Sequence, residues 1–395
     1  MLSGAVPSLL YYGLKLLSPT YFYVLTCLIS ALVAICIGSS WTTAATIGVA
    51  LIGVSQGFSL SADITAGAIV SGAYFGDKMS PLSETTNLAP SIAGSELFDH
   101  IRHMAWVSLP SFAITLMLFF FIGLNGVTSA GSQHDINEFI KALDQSFAIS
   151  PINLIPVLLL LCLAIKKTPA FLAIMGVSLL ACVFTLLFQY EVLINFSGGS
   201  SAVDLIKAFW IVLYGGFEIS TTNESVNNLL SRGGMLSMVN MAWLVIASMM
   251  MAGVLERIGF IEALMNAMMK LVRSTGSLIA STMATCFGVN ILTGDQYMSI
   301  VIPGQMWKSE YEKRNLQTVN LSRSLEDAGT LTSPLIPWNA CGVYMAGTLT
   351  VATISYLPYC FFNLINPVIA LIFAFLNIKI LKAKPLAPAI NTGSS

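Results

Sequence analysis

"SGAYFGDKMSPLSETTNLAP", Ser71 to Pro90, sets Asp77, Lys78 and Glu84 among hydroxyl and amide side chains, with long apolar runs before and after it. The surrounding composition is that of a membrane protein. Of 395 residues, 56% are hydrophobic and 9% charged, whereas soluble domains carry about 25% charged residues. A charge at mid-bilayer costs roughly 2.5–3.5 kcal/mol even on lenient insertion scales. The polar stretch therefore requires partners or a water-filled cavity.

Working outward, Phe22–Ile37, Trp106–Leu124, Leu154–Ile165, Ala170–Phe188, Met238–Leu255 and Leu364–Ile378 are apolar runs. Each approaches the roughly 20 residues that span a bilayer as a helix, and with the shorter runs about nine to eleven passes are expected. The net charge of −1 offers no basic field for nucleic acid. Seven scattered cysteines (Cys27, Cys36, Cys162, Cys182, Cys286, Cys341, Cys360) lack C-x-x-C spacing and read as small hydrophobes. No H-E-x-x-H, G-x-S-x-G or Walker loop is present, so neither an enzyme nor a cofactor is expected. No basic n-region precedes the first apolar residues, which argues against a signal peptide. Lys166 and Lys167, the loop with Lys308, Lys313 and Arg314, and Lys379, Lys382 and Lys384 are placed in the cytoplasm by the positive-inside rule.

The chain divides into a first unit, residues 1–125, connecting helices and loops, 126–234, and a second unit with a C-terminal helix, 235–395. The connection holds a soluble-looking loop, Ser129–Ile149, two helices meeting at LAIKKTPAFLAI, and a Gly/Ser/Asn-rich stretch, Ser197–Gly234. Both outer units share a grammar. An apolar helix ends in a Gly/Ser/Thr break (IGSSWTTAATIG; GVNILTGDQYMS), and a carboxylate followed by Ser, Thr, Pro and Asn comes later (GDKMSPLSETTN; EDAGTLTSPLIPWN). At a spacing of 250 residues Gly38 falls on Gly288, Thr43 on Thr293, Asp77 on Asp327 and Ser83 on Ser333. Repeats with interrupted helices point to a secondary transporter, because unwound backbone is tolerated in a membrane only where it lines a site. In the same register Met1 falls on Met251, leaving MLSMVNMAWLVIASMM, Met235–Met250, without a counterpart. The expectation is a first repeat truncated at its N-terminus and lacking at least one helix.

The chemistry of the breaks suits a hard cation such as sodium, which prefers carboxylate, hydroxyl, amide and freed carbonyl oxygens. Burial disfavours a charged carboxylate and a bound cation favours it, so protons and sodium compete for one group. Asp77 and Asp327 are the expected exchanging pair, one from each unit. Ser83, Glu84, Thr85, Thr86, Asn87, Thr293, Asp295, Glu326, Ser333 and Asn339 are expected as ligands or hydrogen-bond partners. Ser39, Ser40, Thr42 and Thr43, after Gly38, would add hydroxyl and backbone oxygens where the helix unwinds. Asp77 has a blander reading as half of an interfacial cap with Lys78; Asp327 follows Glu326 and has no adjacent cation. Gly72 and Gly76 serve either close packing or a hairpin break, and Asp63 reads as a helix N-terminal residue after Ser61. His100, His103 and His134, beside Asp99, Arg102 and Asp135, are expected in surface loops.

GAVPSLLYYGLKLLSP, GSSWTTAATIGVALIG and SGAYFGDKMSPLSETTNLAP closely resemble the NhaC-type sodium/proton antiporter family of the ion transporter superfamily. So do AIKKTPA, GFEISTTNESVNNLLSRGGM, NILTGDQYMSIVIPG and RSLEDAGTLTSPLIPWNACG. The resemblance covers the whole chain. It implies an all-α polytopic protein of the bacterial cytoplasmic membrane, built from two inverted-topology repeats with broken helices and helical hairpins. It also implies additional residues and helices before the position of Met1. Sodium ions, protons and the lipid bilayer are the implied partners, with a second copy of the chain left open. The same resemblance admits sodium-linked malate/lactate exchange, for which Arg323 is the candidate holder of a substrate carboxylate. A passive cation channel is the third reading.

Overall fold

The computed structural model describes residues 1–126, 133–166, 168, 170–219, 227, 230–270 and 272–382. The architecture is helical, and among the described residues the strands are two-residue pieces, Gly216–Phe217 against Arg232–Gly233. Its organising device is the broken helix. Helix α1 (Ala5–Leu16) leads into α2 (Phe22–Ile37), an almost wholly apolar run that stops at Gly38 because the backbone turns left-handed there, φ 75°. Ser39 restarts the chain by accepting from the Thr42 amide, giving α3 (Ser40–Thr43), a π-helical turn over Ala44–Gly48, and α4 (Val49–Gly57). Ser61 caps α5 (Ala62–Met79), with Asp63 in its first turn; Ser80–Leu82 break the helix, and Ser83 caps α6 (Glu84–Ala93). The long α7 (Leu97–Gly126) follows.

The connection holds α8 (Gln133–Ser146), α9 (Ile155–Ile165), α10 (Ala170–Phe188), α11 (Tyr190–Ser197) and α12 (Ala202–Tyr214). The expected soluble loop Ser129–Ile149 is thus largely helix. Phe139, Ala142 and Leu143, buried at helical spacing, supply the face that folds it. The two helices predicted to meet at LAIKKTPAFLAI do so as α9 and α10; Lys167 in their turn, Lys384 in the C-terminal tail and most of TTNESVNN lie outside the described residues.

The second unit opens with α13 (Val239–Arg257) and α14 (Phe260–Met269). Then α15 (Thr275–Thr293) ends at left-handed Gly294, and α16 (Met298–Lys313) follows the break. Lys308 and Lys313, expected in a loop, belong to α16. Next comes α17 (Thr318–Leu325), continued by a π-helical turn over Glu326–Thr330, and after a short turn at Ser333–Leu335 Asn339 caps α18 (Ala340–Leu349). The chain closes with α19 (Thr353–Tyr356) and α20 (Phe361–Phe375).

The breaks fix a register that differs from the 250-residue spacing. Gly38 and Gly294, Ser39 and Asp295, Ser83 and Asn339 stand 256 residues apart, as do the first residues of α5 and α17, Ala62 and Thr318. In this register Asp77 falls on Ser333, and Asp327 on Ser71. Gly288, matched to Gly38 by the shorter spacing, lies inside α15. The reason is physical: a cap needs an oxygen that reaches the next turn's amides, and Ser, Asp and Asn all supply it. Similar capping geometry therefore occurs at both breaks with different residue types.

Packing ties the first unit together most tightly where α2 crosses α5. A Cβ at Gly72 would collide with the Cys27 carbonyl oxygen, and one at Gly76 with that of Ala31. Both glycines sit in helix rather than at the break, so close packing is their role. Phe75 and Phe112 stack at 3.8 Å with Phe362 edge-on, joining α5, α7 and α20. Among the described residues three helices are long and apolar enough to cross a membrane alone, Pro19–Ile37, Leu97–Leu124 and Thr275–Thr293, and bent pairs raise that to as many as six. These counts rest on length and composition, which half-helices meeting at a break do not satisfy singly. Exposed Trp106, Phe121, Leu158, Leu187 and Trp210 form part of an apolar surface far too large for water. This is a multi-pass membrane protein.

Candidate functional site

Asp77 lies in the last turns of α5 and is 6% exposed. Its Oδ2 accepts from the Ser40 amide at 3.0 Å, so the first break delivers an unsatisfied N–H to the carboxylate. The Ser83 and Ser40 hydroxyls face the same carboxylate. Thr86 donates to the carbonyls of Asp77 and Lys78 (3.3 and 3.1 Å), closing the turn between α5 and α6. Tyr74, one turn before Asp77, is buried, and its hydroxyl has no hydrogen-bond partner in geometry. Among the described residues Asp77 has no ion-pair partner.

Asp327 is in a different state. Its Oδ1 accepts from Lys78 Nζ at 2.7 Å and from Asn366 Nδ2 at 2.8 Å, while Arg323 Nε stands 3.7 Å from Oδ2. All three charged side chains are fully buried. Lys78 does not cap a helix at the surface; it reaches across the fold to the carboxylate of Asp327, which has no cation next to it in sequence. Glu326, on the π-helical turn, is fully buried with both carboxylate oxygens lacking a hydrogen bond, and Lys78, Thr330, Asp77 and Thr85 surround it. A π turn throws the i→i−4 ladder out of step, which is why such turns collect at working sites.

The other expected residues fall into two groups. Ser83 and Thr85 share a hydroxyl contact at 3.2 Å beside Asp77, and Glu84, exposed, accepts from Tyr297 at 2.5 Å. Ser333 donates to Gln296 Oε1 at 2.9 Å, close to Tyr74 and Cys341. These lie around Asp77. The rest are engaged in holding the breaks. Ser39 takes the Thr42 hydroxyl at 3.1 Å, and Thr43 bonds the Ser39 carbonyl. Asn87 bonds the Pro81 and Ser83 carbonyls. Thr293 accepts from the Asp295 amide, Asp295 Oδ1 accepts from the Met298 amide, and Asn339 Nδ2 reaches Asn290 at 3.0 Å. Asn290 in turn donates to the Gly329 carbonyl at 2.6 Å, beside the π turn.

Sequence reasoning missed Lys78 as an ion-pair partner, along with Asn366, Gln296, Asn290 and Tyr74. Asn366 and Asn290 had a signal, an amide inside an apolar helix. The expectation of loop histidines fails for His100 and His103, which are buried in α7; His134 falls within α8. Their charged neighbours Asp99 and Arg102 lie on the other face of the same helical turn, which sequence adjacency hides.

The sequence profile of the Na+/H+ antiporter family matches residues 72–378. The chain belongs to the Na+/H+ antiporter family. It is 43% identical over 387 residues to the Na+/H+ antiporter NhaC of Alkalihalophilus pseudofirmus, covering 98% of this chain and 81% of that protein. It is 39% identical to NhaC of Bacillus subtilis over 376 residues, 95% of this chain and 80% of that protein. It is also 34% identical to the malate-2H+/Na+-lactate antiporter of B. subtilis over 375 residues, 94% of this chain and 77% of that protein. The matched span contains Asp77, Glu84, Glu326 and Asp327, and the first break, at Gly38 to Thr43, precedes it.

Proposed function

We propose that the chain exchanges sodium ions for protons across the bacterial cytoplasmic membrane. The observation that carries the reading is the contrast between Asp77, buried among hydroxyls and a break amide with no cation partner, and Asp327, buried against Lys78. A buried carboxylate without a counter-charge attracts a cation, and the donors around it are hard oxygens. Asp77 takes the sodium ion, with Ser83, Ser40 and Ser333 as further oxygens and Glu84 and Asp295 as the more exposed carboxylates on the approach. Ser39, Thr42, Thr43, Thr86, Asn87, Thr293 and Asn339 hold the breaks in shape. The Lys78–Asp327 pair and Glu326, in reach of Thr85, form the proton-exchanging partner in the second unit. The units act as repeats of inverted topology, residues 1–125 and 235–395, and alternating access moves one against the other.

The relatives' names favour sodium/proton exchange at the higher identities, and malate/lactate exchange at the lower. Arg323, the residue that carboxylate exchange would need, is fully buried beside Asp327 rather than beside Asp77. The deciding experiment assays everted vesicles for sodium-dependent dissipation of a pH gradient by the unaltered chain, Asp77→Asn and Asp327→Asn. Loss in both is expected; normal activity in both would sink the assignment, and sodium-dependent malate or lactate uptake would favour the second reading. Currents that no opposing gradient can drive uphill would identify a channel.

A further inference from the structure

A chain of hydroxyls leads from a surface cavity to the buried imidazole of His100, one helical turn from His103. At the start of α17 a cavity of about 460 Å³ is lined by Ser95, Glu96, Asp99, Glu312, Gln317 and Thr318. Thr318 donates to the Gly94 carbonyl at 3.1 Å, fixing the end of α6 to the start of α17 at this mouth. From the cavity Ser95 Oγ donates to Ser322 Oγ at 3.2 Å, and Ser322 Oγ meets His100 Nδ1 at 2.8 Å. Ser322 and His100 are fully buried, and His103, one turn on, is 5% exposed. The Nε2 atoms of both histidines are buried without a hydrogen-bond partner, whereas Ser95 Oγ, Ser322 Oγ and His100 Nδ1 are joined in one chain. Lys78 of α5 and His103 act electrostatically on His100; Arg323 and Asp327 of the second unit act on His103. The α6 helix adds only Glu84 at its far end, held by Tyr297.

We infer that Ser95, Ser322, His100 and His103 form a proton relay between the acidic mouth and the Lys78–Asp327 pair, separate from the sodium approach through Glu84 and Tyr297. A proton arriving at Ser95 Oγ releases that hydroxyl's own proton to Ser322, and the Ser322 proton passes to His100 Nδ1. His100 then gives up its Nε2 proton by way of His103 to the Asp327 carboxylate. One proton is taken up at the mouth for each one delivered, each serine keeps one proton, and the reverse sequence discharges Asp327. The mouth lies on the side of Lys313 and Arg314, which the positive-inside rule makes cytoplasmic, so the relay releases protons to the cytoplasm during sodium extrusion. The inference rests on the antiport reading.

The test uses the full chain in proteoliposomes and compares sodium-driven proton flux with 22Na+/Na+ self-exchange, which needs no proton step. His100→Gln is expected to lower proton flux about tenfold or more, the loss of an acid–base group, with self-exchange unchanged. Ser322→Ala should show the same split and Ser322→Thr should restore flux. Equal loss of both fluxes, or loss of neither, overturns the relay. Failure of the antiport reading is distinct, an unaltered chain with no 22Na+ flux at all. In that event 15N-histidine spectra decide: the His100 Nδ1 resonance must follow the pH on the Ser95 side and lose that response in Ser322→Ala. A response that Ser322→Ala leaves intact overturns the relay.

Discussion

The hairpin α5–α6 and the segment α17–α18 are built to one plan and carry opposite electrostatics. Each descends as a helix, breaks for a few residues and resumes under a polar cap, Ser83 in one and Asn339 in the other. In the first, the carboxylate Asp77 meets an amide and hydroxyls; in the second, Asp327 meets Lys78, Asn366 and Arg323. Two similarly broken segments thus carry carboxylates in different surroundings, and on the proposed function the side chains decide which one takes a cation and which is already paired. The division is reciprocal, because the cation that closes the second site, Lys78, is contributed by the residue next to Asp77 in the first.

The two carboxylates should respond most differently to substitution. Asp77→Asn removes the buried carboxylate that the Ser40 amide and the Ser83 hydroxyl face and should reduce sodium transport about a hundredfold or more, on the scale of losing a preorganised electrostatic group. Retention of 22Na+ flux would move the cation site elsewhere. The next largest effect concerns the neutralised site. Lys78→Ala leaves Asp327 buried with, among the described residues, only the longer ionic contact to Arg323 at 3.7 Å, and breaking a buried pair costs about 3–5 kcal/mol. Thermal melting in detergent should therefore show a large fall for Lys78→Ala and a further fall on adding Asp327→Asn that is smaller than Asp327→Asn causes alone. Additive destabilisation in the double variant would mean the two side chains do not act as a pair.

Smaller effects sharpen the packing and the register. Gly72→Val overpacks the α2–α5 crossing and should cost about 1–3 kcal/mol, while Gly176→Ala, inside α10 with nothing near an added Cβ, should hold or raise the melting temperature. Equal behaviour of the two would remove packing as the reason for Gly72. The smallest change tests the 256-residue register. Ser39→Ala and Asn339→Ala should each cost about 1 kcal/mol as lost caps, and Ser39→Asp, which imports the residue at the equivalent position, should cost only tenths. A penalty for Ser39→Asp as large as that for alanine would break the equivalence of the two breaks.

What the sequence made legible was the chemistry that a membrane cannot hide. The apolar runs, the Gly/Ser/Thr breaks and the carboxylates after them stood out because their composition conflicts with the surrounding lipid-facing residues. Partnership across the fold was not legible. Lys78 and Asp327 are 249 residues apart, and no periodicity links them. Local proximity misled in the same way at His100, where Asp99 and Arg102 describe the mouth and not the interior that the imidazole faces. The 250-residue spacing matched residue types; the structure repeats cap geometry, which tolerates changes of residue type.

One consequence follows from the glycines of α5. With the Cys27 and Ala31 carbonyls lying directly on Gly72 and Gly76, no side chain separates α2 from α5, and neither helix can slide without backbone collision. The break at Gly38 and the carboxylate of Asp77 then travel as one plate. On the proposed exchange, a hinge that exposes the cation to the opposite side would open across contacts made by side chains, such as the Trp41–Tyr344 stack at 4.2 Å and the Tyr297–Glu84 hydrogen bond, rather than across the glycine crossing.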